Sequence, residues 1–367
     1  MSFLKSIEHF NKKLIYLLFK LLFGNKPANI PLDRAKIRKI LILRYDKLGD
    51  MAVTVPVFHS LKEAIPDAEI HVIASTKNAG LIKNDSSVSK IYIYDGKFRS
   101  LISIIAIARK ENYSIILSFI FNNTTKAGII ANLAGKKGTP KAIILNEKRQ
   151  KLYSSLFNIQ VPVERNKYYT TELLLIFVSA IFALKYSIEN HSRKILYSSE
   201  DAQPVLDFIR KLPTEKYILL NISAGSVARK PGADKLIRML AQILRKHTKI
   251  CFALNYSPAD KSDASKISEA FPGKVFCCPP TENILEIASR VALSQMVISP
   301  DTAIIQFAGA FSKPVLGFYL TGGTFINEWT PDNVPFRAVI SKDNRMLSDE
   351  DVNIAVNFFE ELYENRV

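Results

Sequence analysis

The chain is 367 residues long, 48% apolar and 23% charged, which is enough apolar material for two ordinary globular domains and too much for a disordered tail protein. Its 50 Lys and Arg against 34 Asp and Glu leave a net charge of +16, which suits a polyanionic neighbour: nucleic acid, a phosphorylated substrate or an anionic membrane face. Cys251 and the adjacent Cys277 and Cys278 form neither a disulfide framework nor a metal-ligand spacing, since neighbours in sequence cannot easily share one bridge or one tetrahedral ion, and a reducing compartment fits.

The first element in chain order is a basic amphipathic helix. Phe3, Leu4, Ile7, Phe10, Leu14, Ile15, Leu17, Leu18, Leu21 and Leu22 recur at helical spacing, with Lys5, Glu8, His9, Lys12, Lys13, Tyr16 and Lys20 on the other side. The uninterrupted apolar run Leu14 to Phe19 is far shorter than the roughly 20 residues a bilayer span needs, and no small-residue cleavage site follows. The reading is of a chain that stays in the cytoplasm. Two roles stay open for this helix: lying in the headgroup region of an anionic leaflet, helped by Arg34, Lys36, Arg38 and Lys39, or packing its stripe on protein. The break from Gly24 to Pro31 makes residues 1–33 an appendage in either case.

From Arg38, short β-branched runs alternate with helical patterns. Strands are expected at Ile40–Leu43, Glu69–Ile73, Lys90–Tyr94, Ser114–Ser118 and Ala142–Leu145, and helices at Met51–Ala64, Leu101–Lys110, Thr125–Leu133 and Thr170–Leu184. The polar stretch Tyr186–Asp201 reads as a boundary, dividing a 34–190 domain from a 191–345 domain. The second series has strands at Tyr217–Asn221, Ile250–Leu254, Val275–Cys277, Met296–Ser299 and Val315–Phe318, with helices at Ala233–Lys246, Asp260–Ala270, Ile284–Ser289 and Thr302–Phe311. Such alternation predicts two parallel α/β sheets covered on both faces, facing a central cleft, with ligands at the carboxyl ends of the strands. A final helix, roughly Asp349–Leu362 within 346–367, begins with Ser348 and has Asp351 three residues later in a capping-box pattern, so Asp349-Glu350-Asp351 reads as helix-start charge and not as a metal site.

Two strand-to-helix junctions carry candidate chemistry. After the first strand comes Arg44-Tyr45-Asp46-Lys47-Leu48-Gly49-Asp50, which lacks the glycine spacing of a dinucleotide fingerprint and the Gly-Lys-Ser/Thr of a phosphate loop. Gly49 would allow a tight turn, and Asp50 is either a general base for an approaching hydroxyl or the helix cap. In the second domain, Ser223, Ser226, Arg229 and Lys230 follow the first strand, offering hydroxyls and positive charge to a leaving diphosphate. Further on, Asp301-Thr302-Ala303 opens a helix whose free backbone donors suit an anion, with Asp301 again either ligand site or cap.

Several of these motifs together resemble one family. Ile40 to Pro56 with its Leu48-Gly49-Asp50, then Leu61-Lys62 and Pro66 to Ile70, look like the opening of the lipopolysaccharide heptosyltransferases, glycosyltransferase family 9. Tyr113 to Ile116, Asn132 to Gly135, Asp301-Thr302-Ala303, Ala308 to Ala310, Lys313 to Val315 and Trp329-Thr330-Pro331 follow in the family's order, so the match runs from about Arg38 to Asp332. The resemblance implies a GT-B architecture of two Rossmann-like domains. It also implies inverting, metal-independent transfer of a sugar, heptose from ADP-heptose, onto the inner core on lipid A, with no cofactor beyond the donor. It assigns Asp50 the place of the catalytic base, with Arg44, Asp46, Lys47 and Gly49 in the acceptor-side loop. Ser223, Ser226, Arg229, Lys230, Asp301, Thr302 and Ala303 fall on the donor side. Here Ala303, Ile304 and Gln306 stand where the family often has Gly, Pro and His, and Pro231 where it has an aromatic residue, which bears on the sugar taken.

The implied partners are a nucleotide sugar, a lipid-anchored glycan and an anionic membrane surface met by residues 1–23 at the inner face of the cytoplasmic membrane. A nucleic-acid module is disfavoured, since no zinc finger or RNP signature is present. The alternatives are a family member with another nucleotide-sugar donor, or a non-catalytic nucleotide or nucleic-acid binder on the same fold.

Overall fold

A computed structural model describes residues 14–15, 17–185, 195–321, 326–331, 334–342 and 346–364. The chain divides into two compact units, Met1–Ser192 and Arg193–Val367.

In the first unit β1 (Lys39–Arg44) leads to two helices, α1 (Leu48–Ala52) and α2 (Val55–Ala64), and then β2 (Glu69–Ser75) and β3 (Lys90–Tyr94). There follow α3 (Phe98–Ala108), β4 (Ile115–Ser118), α4 (Thr124–Ala134), β5 (Lys141–Ile144), α5 (Gln150–Leu156), β6 (Ile159–Val161) and α6 (Thr170–Phe182). The six strands are parallel in the order β3-β2-β1-β4-β5-β6, with Leu41 of β1 registered against His71 on one side and Ile116 on the other. Ile40 to Leu43 are fully buried because helices cover both faces of the sheet, which is why this strand reads as a continuous apolar run.

The second unit repeats the plan. It runs α7 (Ser199–Ile209), β7 (Tyr217–Asn221), α8 (Ala233–Lys246), β8 (Cys251–Asn255), α9 (Lys261–Ala270), β9 (Val275–Cys277) and α10 (Ile284–Leu293). Then come β10 (Met296–Pro300), α11 (Ala303–Ala310), β11 (Val315–Leu320), α12 (Ile326–Trp329), β12 (Phe336–Ser341) and α13 (Asp349–Glu364). Its sheet order is β12-β11-β10-β7-β8-β9, again with the first strand of the series beside the fourth. The C-terminal helix α13 belongs to this unit's core, where Val352, Ala355, Val356 and Phe359 join Leu240 and Phe252.

The expected pair of parallel α/β sheets is present, with corrections of detail. The single helix expected over Met51–Ala64 is two. Thr54 turns the chain between them, its hydroxyl donating to the Asp50 carbonyl at 2.7 Å while accepting from Arg44 Nε at 2.9 Å. Pro56 then sits in the first turn of α2, where a missing N–H costs nothing. The edge strands β6 and β12 and the helix α5 were not anticipated. Part of the polar stretch taken as a boundary, 186–194, lies outside the described residues; its end is the start of α7, where Ser198 caps the Asp201 N–H at 3.1 Å.

The N-terminal segment is also more integrated than an appendage. Residues 1–13 lie outside the described residues. Residues 17–23 are helical, and Phe19 and Phe23 stack at 5.9 Å and pack against the core of the first unit beside Leu101 and Ile129. The leucine stripe does the opposite: Leu14, Ile15, Leu17, Leu18, Leu21 and Leu22 are exposed. Downstream, Asn25 Nδ2 donates to Asn132 Oδ1 at 2.7 Å, Ala28 N to Asn158 O at 3.1 Å and Leu32 N to Ile181 O at 2.7 Å, fastening the connection to the domain. No helix among the described residues is long and apolar enough to cross a membrane.

Candidate functional sites

In an open parallel sheet, ligands bind outside the carboxyl ends of strands where the strand order reverses. In the first unit that point lies between β1 and β4, and the chain leaving β1 there is the Arg44 to Asp50 loop.

Arg44 has no exposed surface and organises this loop. Its Nε donates to the Asp50 carbonyl at 2.7 Å, one Nη to Asp46 Oδ2 at 3.1 Å and to the Phe119 carbonyl, and the other Nη lies 3.8 Å from Asp50 Oδ1. Asp50 is the third residue of α1 and therefore not its cap; Lys47 holds the cap position, and its N–H donates to Asp50 Oδ2 at 3.2 Å. Gly49, expected at a tight turn, is the second residue of the same helix, and its carbonyl accepts from Val53 N at 3.1 Å. Lys47 is exposed.

Asp46 is the perturbed carboxyl of the group. Burial pushes it up to about 7, the neighbouring Asp50 charge adds to the rise, and Arg44 opposes both. Its Oδ1 is buried with no hydrogen-bond partner. Asn78, which the motif reading missed, is fully buried and donates its amide to the carbonyls of Arg44 at 2.9 Å, Lys47 at 3.3 Å and Asp46 at 3.4 Å. A lone Asn in a loop after β2 gives no sequence signal, because what it binds is main chain far away in sequence.

In the second unit the reversal lies between β7 and β10, and both motifs singled out in this unit leave those strands. Asp301 is not the cap of α11; Thr302 is, with Oγ1 accepting from Ile304 N at 3.4 Å. The Asp301 carboxylate instead accepts from Arg229 at 3.3 Å, and Arg229 also donates to the Asp301 carbonyl at 3.0 Å and to Ser226 Oγ at 3.3 Å. The structure thus brings Ser226, Arg229 and Asp301 together.

Lys230 and Ser223 belong to a second cluster. The Lys230 ammonium pairs with Asp260 Oδ1, while Ser223 Oγ and Ser257 Oγ donate to Asp260 Oδ2 at 2.5 and 2.6 Å. Burial opposes ionisation of Asp260, yet these donors outweigh it and hold the carboxyl below its usual range. Asp260 and Ser257 were not anticipated; their role depends on β8 lying beside β7 in the sheet.

Beneath both clusters runs a buried polar chain. Thr302 Oγ1 lies 3.1 Å from Ser299 Oγ, Asn221 donates to Ser299 at 3.0 Å, Asn255 to Asn221 at 3.1 Å, and Arg290 to Asn255 at 3.1 Å and to Glu286 at 2.6 Å. It fixes the floor on which the loops sit, because each buried amide and hydroxyl has a partner. Gly232, with φ of +79°, makes the turn from the Arg229-Lys230 loop into α8. Ala303 begins α11, and Gln306, one turn on, donates to the Trp329 carbonyl at 2.6 Å. No cluster of metal-ligating side chains occurs among the described residues.

No family model matches the chain. Among curated proteins it is similar to lipopolysaccharide heptosyltransferase 1 of Campylobacter coli, 21% identical over 275 residues, covering 71% of this chain and 75% of the relative. Among solved structures it resembles a glycosyl transferase family 9 protein from Veillonella parvula, with TM-score 0.73, 13% identity and coverage of 91% and 100% of the two chains. It also resembles the E. coli heptosyltransferase WaaC with ADP, with TM-score 0.70, 16% identity and coverage of 89% and 98%. The likeness in sequence and the likeness in fold fall on the same family as the motifs.

Proposed function

We propose that the chain, a heptosyltransferase-like glycosyltransferase in sequence and fold, transfers a sugar from a nucleotide donor to a lipid-anchored glycan of the lipopolysaccharide core. The observation that carries this reading is positional: the Leu48-Gly49-Asp50 segment and the Asp301-Thr302 motif each leave a central strand of their own sheet at the point where strand order reverses. The proposed donor is ADP-heptose, as in the relatives the motifs resemble.

In this reading Asp50 takes the proton of the acceptor hydroxyl as its oxygen attacks the anomeric carbon, and the nucleoside diphosphate departs from the opposite face, inverting the centre. The Lys47 N–H holds the carboxylate, Arg44 Nε holds the main-chain carbonyl behind it, and an Arg44 Nη lies 3.8 Å from Oδ1. The departing charge is met by Arg229, by the Ser226 hydroxyl and by the positive end of the α11 dipole, while the Ser223 hydroxyl donates to Asp260, so a cationic side chain and a helix dipole do work that a metal does in other transferases. Arg229 is the proposed phosphate cation, since it is 32% exposed and its partner Asp301 is 39% exposed. Lys230, locked to the buried Asp260, orders the loop. The exposed leucines of the N-terminal helix are proposed to rest on the inner face of the cytoplasmic membrane, where residues 1–23 meet an anionic surface.

The test is transfer assayed with ADP-heptose and a panel of other nucleotide sugars, in the presence and absence of a chelator, with the anomeric configuration of the product read by NMR. Chelator-insensitive, inverting transfer from ADP-heptose is expected. Transfer from a different donor alone would favour the second reading, a family member with another sugar, for which the observation is that Ala303, Ile304 and Gln306 alter the start of α11 and tie it to Trp329.

A further inference from the structure

Helix α3 breaks the rule for a helix on a soluble surface. Such a helix turns charged or polar residues to water and apolar ones to the core. Here the outward positions carry Phe98, 76% exposed, Ile102, 50% exposed, and Ile107, 48% exposed. Beside them a groove of about 580 Å³ runs between α3 and α4, walled by Leu101, Ile105, Ile129, Ile130 and Leu133, with Lys126 and Arg149 on its lining.

The charge around this apolar face is mainly positive. Lys97 and Arg99 stand at the start of α3, and Arg109 and Lys110 follow its end, all exposed. Lys126 donates to the Tyr94 hydroxyl and Arg149 to Thr124 Oγ1 at 3.2 Å, so neither is neutralised by a carboxylate among the described residues. Of the nearest acids, Asp95 sits at the start of α3 and accepts from Lys97 N and Ser100, while Glu111 is paired with Lys39 and Lys90.

We infer that α3 and the α3–α4 groove form a second bilayer-docking surface, separate from residues 1–23, which takes the headgroup and upper acyl region of anionic phospholipids. An apolar stripe with cationic flanks matches the boundary between acyl chains and anionic headgroups. Phe98, Ile102 and Ile107 enter the acyl boundary, a lipid chain lies along Leu101, Ile105, Ile129 and Leu133, and Lys126 and Arg149 meet phosphate. The inference rests on the proposed membrane setting of this enzyme and adds to it a contact made by the folded domain.

The experiment is co-sedimentation of the full chain with phosphatidylethanolamine vesicles, with and without phosphatidylglycerol. Binding to the anionic vesicles is expected to fall about tenfold in Phe98→Ser/Ile102→Ser/Ile107→Ser, with nucleotide affinity and melting temperature unchanged. Leu17→Ser/Leu21→Ser reports the N-terminal helix separately. If the α3 variant binds as the wild type does while the Leu17/Leu21 variant is released, the inference is overturned and membrane attachment through residues 1–23 stands. Equal binding of the wild type to vesicles with and without phosphatidylglycerol overturns the anionic-lipid assignment. A concentration-dependent dimer abolished by the α3 substitutions overturns it in favour of a second copy of the chain. Should the triple variant melt early, Phe98→Trp decides: its emission is quenched by brominated acyl chains beyond the Trp329 background if α3 enters the bilayer, and absence of that quenching overturns the inference.

Discussion

Arg44 binds Asp50 from behind, donating its Nε to the Asp50 main-chain oxygen at 2.7 Å while the carboxylate faces the Lys47 N–H. The backbone is held by a buried cation and the side chain by a single amide. Replacing Asp50 with Asn keeps an oxygen that accepts from Lys47, so the fold survives and the base is lost. We expect the transfer rate to fall by roughly 10²- to 10⁴-fold with donor affinity by calorimetry nearly unchanged. A near-normal rate would remove Asp50 from the role of base.

Arg44 itself is a stability residue. Arg44→Leu strips the Phe119 carbonyl and the Asp46 carboxylate of their Arg44 donor and leaves the Asp50 carbonyl with Thr54 alone. The expected loss is about 3–5 kcal/mol in urea unfolding. A loss below about 1 kcal/mol would mean that the loop reorganises around the gap.

Arg229 and Lys230 should separate experimentally. Arg229→Gln removes a solvent-accessible charge-assisted donor and is expected to weaken nucleotide-sugar binding about tenfold while leaving the melting temperature unchanged. Lys230→Met strands Asp260, which is 4% exposed, and is expected to destabilise the second unit by about 1–3 kcal/mol. The ordinary sign applies to Asp260: with its folded value depressed, it stabilises above the unfolded carboxyl range, and that contribution is lost as pH falls. The Lys230→Met melting profile should therefore lose part of this acid-side slope. Equal binding defects in both variants would contradict the division of labour.

Asp46 has the opposite sign. A carboxyl whose folded value is raised to about 7 keeps its proton after the unfolded chain has lost its own. Its contribution thus favours folding below about pH 4 and is lost between there and pH 7. Asp46→Asn is expected to flatten the fall in stability across that window, by on the order of 1–2 kcal/mol after allowance for solvent at this partly exposed group. Superimposable wild-type and variant profiles from pH 4 to 8 would show that the carboxyl titrates normally.

What sequence alone conveyed was what is written locally. The run Ile40 to Leu43 and the amphipathic α8 follow from periodicity, and their places match the structure to a residue or so. The Leu-Gly-Asp and Asp-Thr motifs fall, as expected, at the carboxyl ends of central strands where strand order reverses. Misses occurred where distant main chain decides. The break before α2 depends on Thr54 meeting Arg44 across a turn, though Pro56 was a readable sign of a second helix start. Asp260 meets Lys230 and Ser223 only because β8 pairs with β7, and Asn78 serves carbonyls some thirty positions back. Sequence alone leaves the N-terminal leucines open between an anionic leaflet and protein packing; in the structure they are exposed, and Phe19 and Phe23 are the side chains that pack on the core.

The anchoring of Asn25, Ala28 and Leu32 has a practical consequence for anyone preparing this enzyme. Trimming the first thirty or so residues to improve solubility would strip Phe19 and Phe23 from the domain and bare the hydrophobic ground beneath them. Such a preparation would clump for reasons unrelated to lipid, and its losses would be mistaken for a missing anchor. Point substitutions of the outward leucines avoid that confusion, because they leave the inward rings seated.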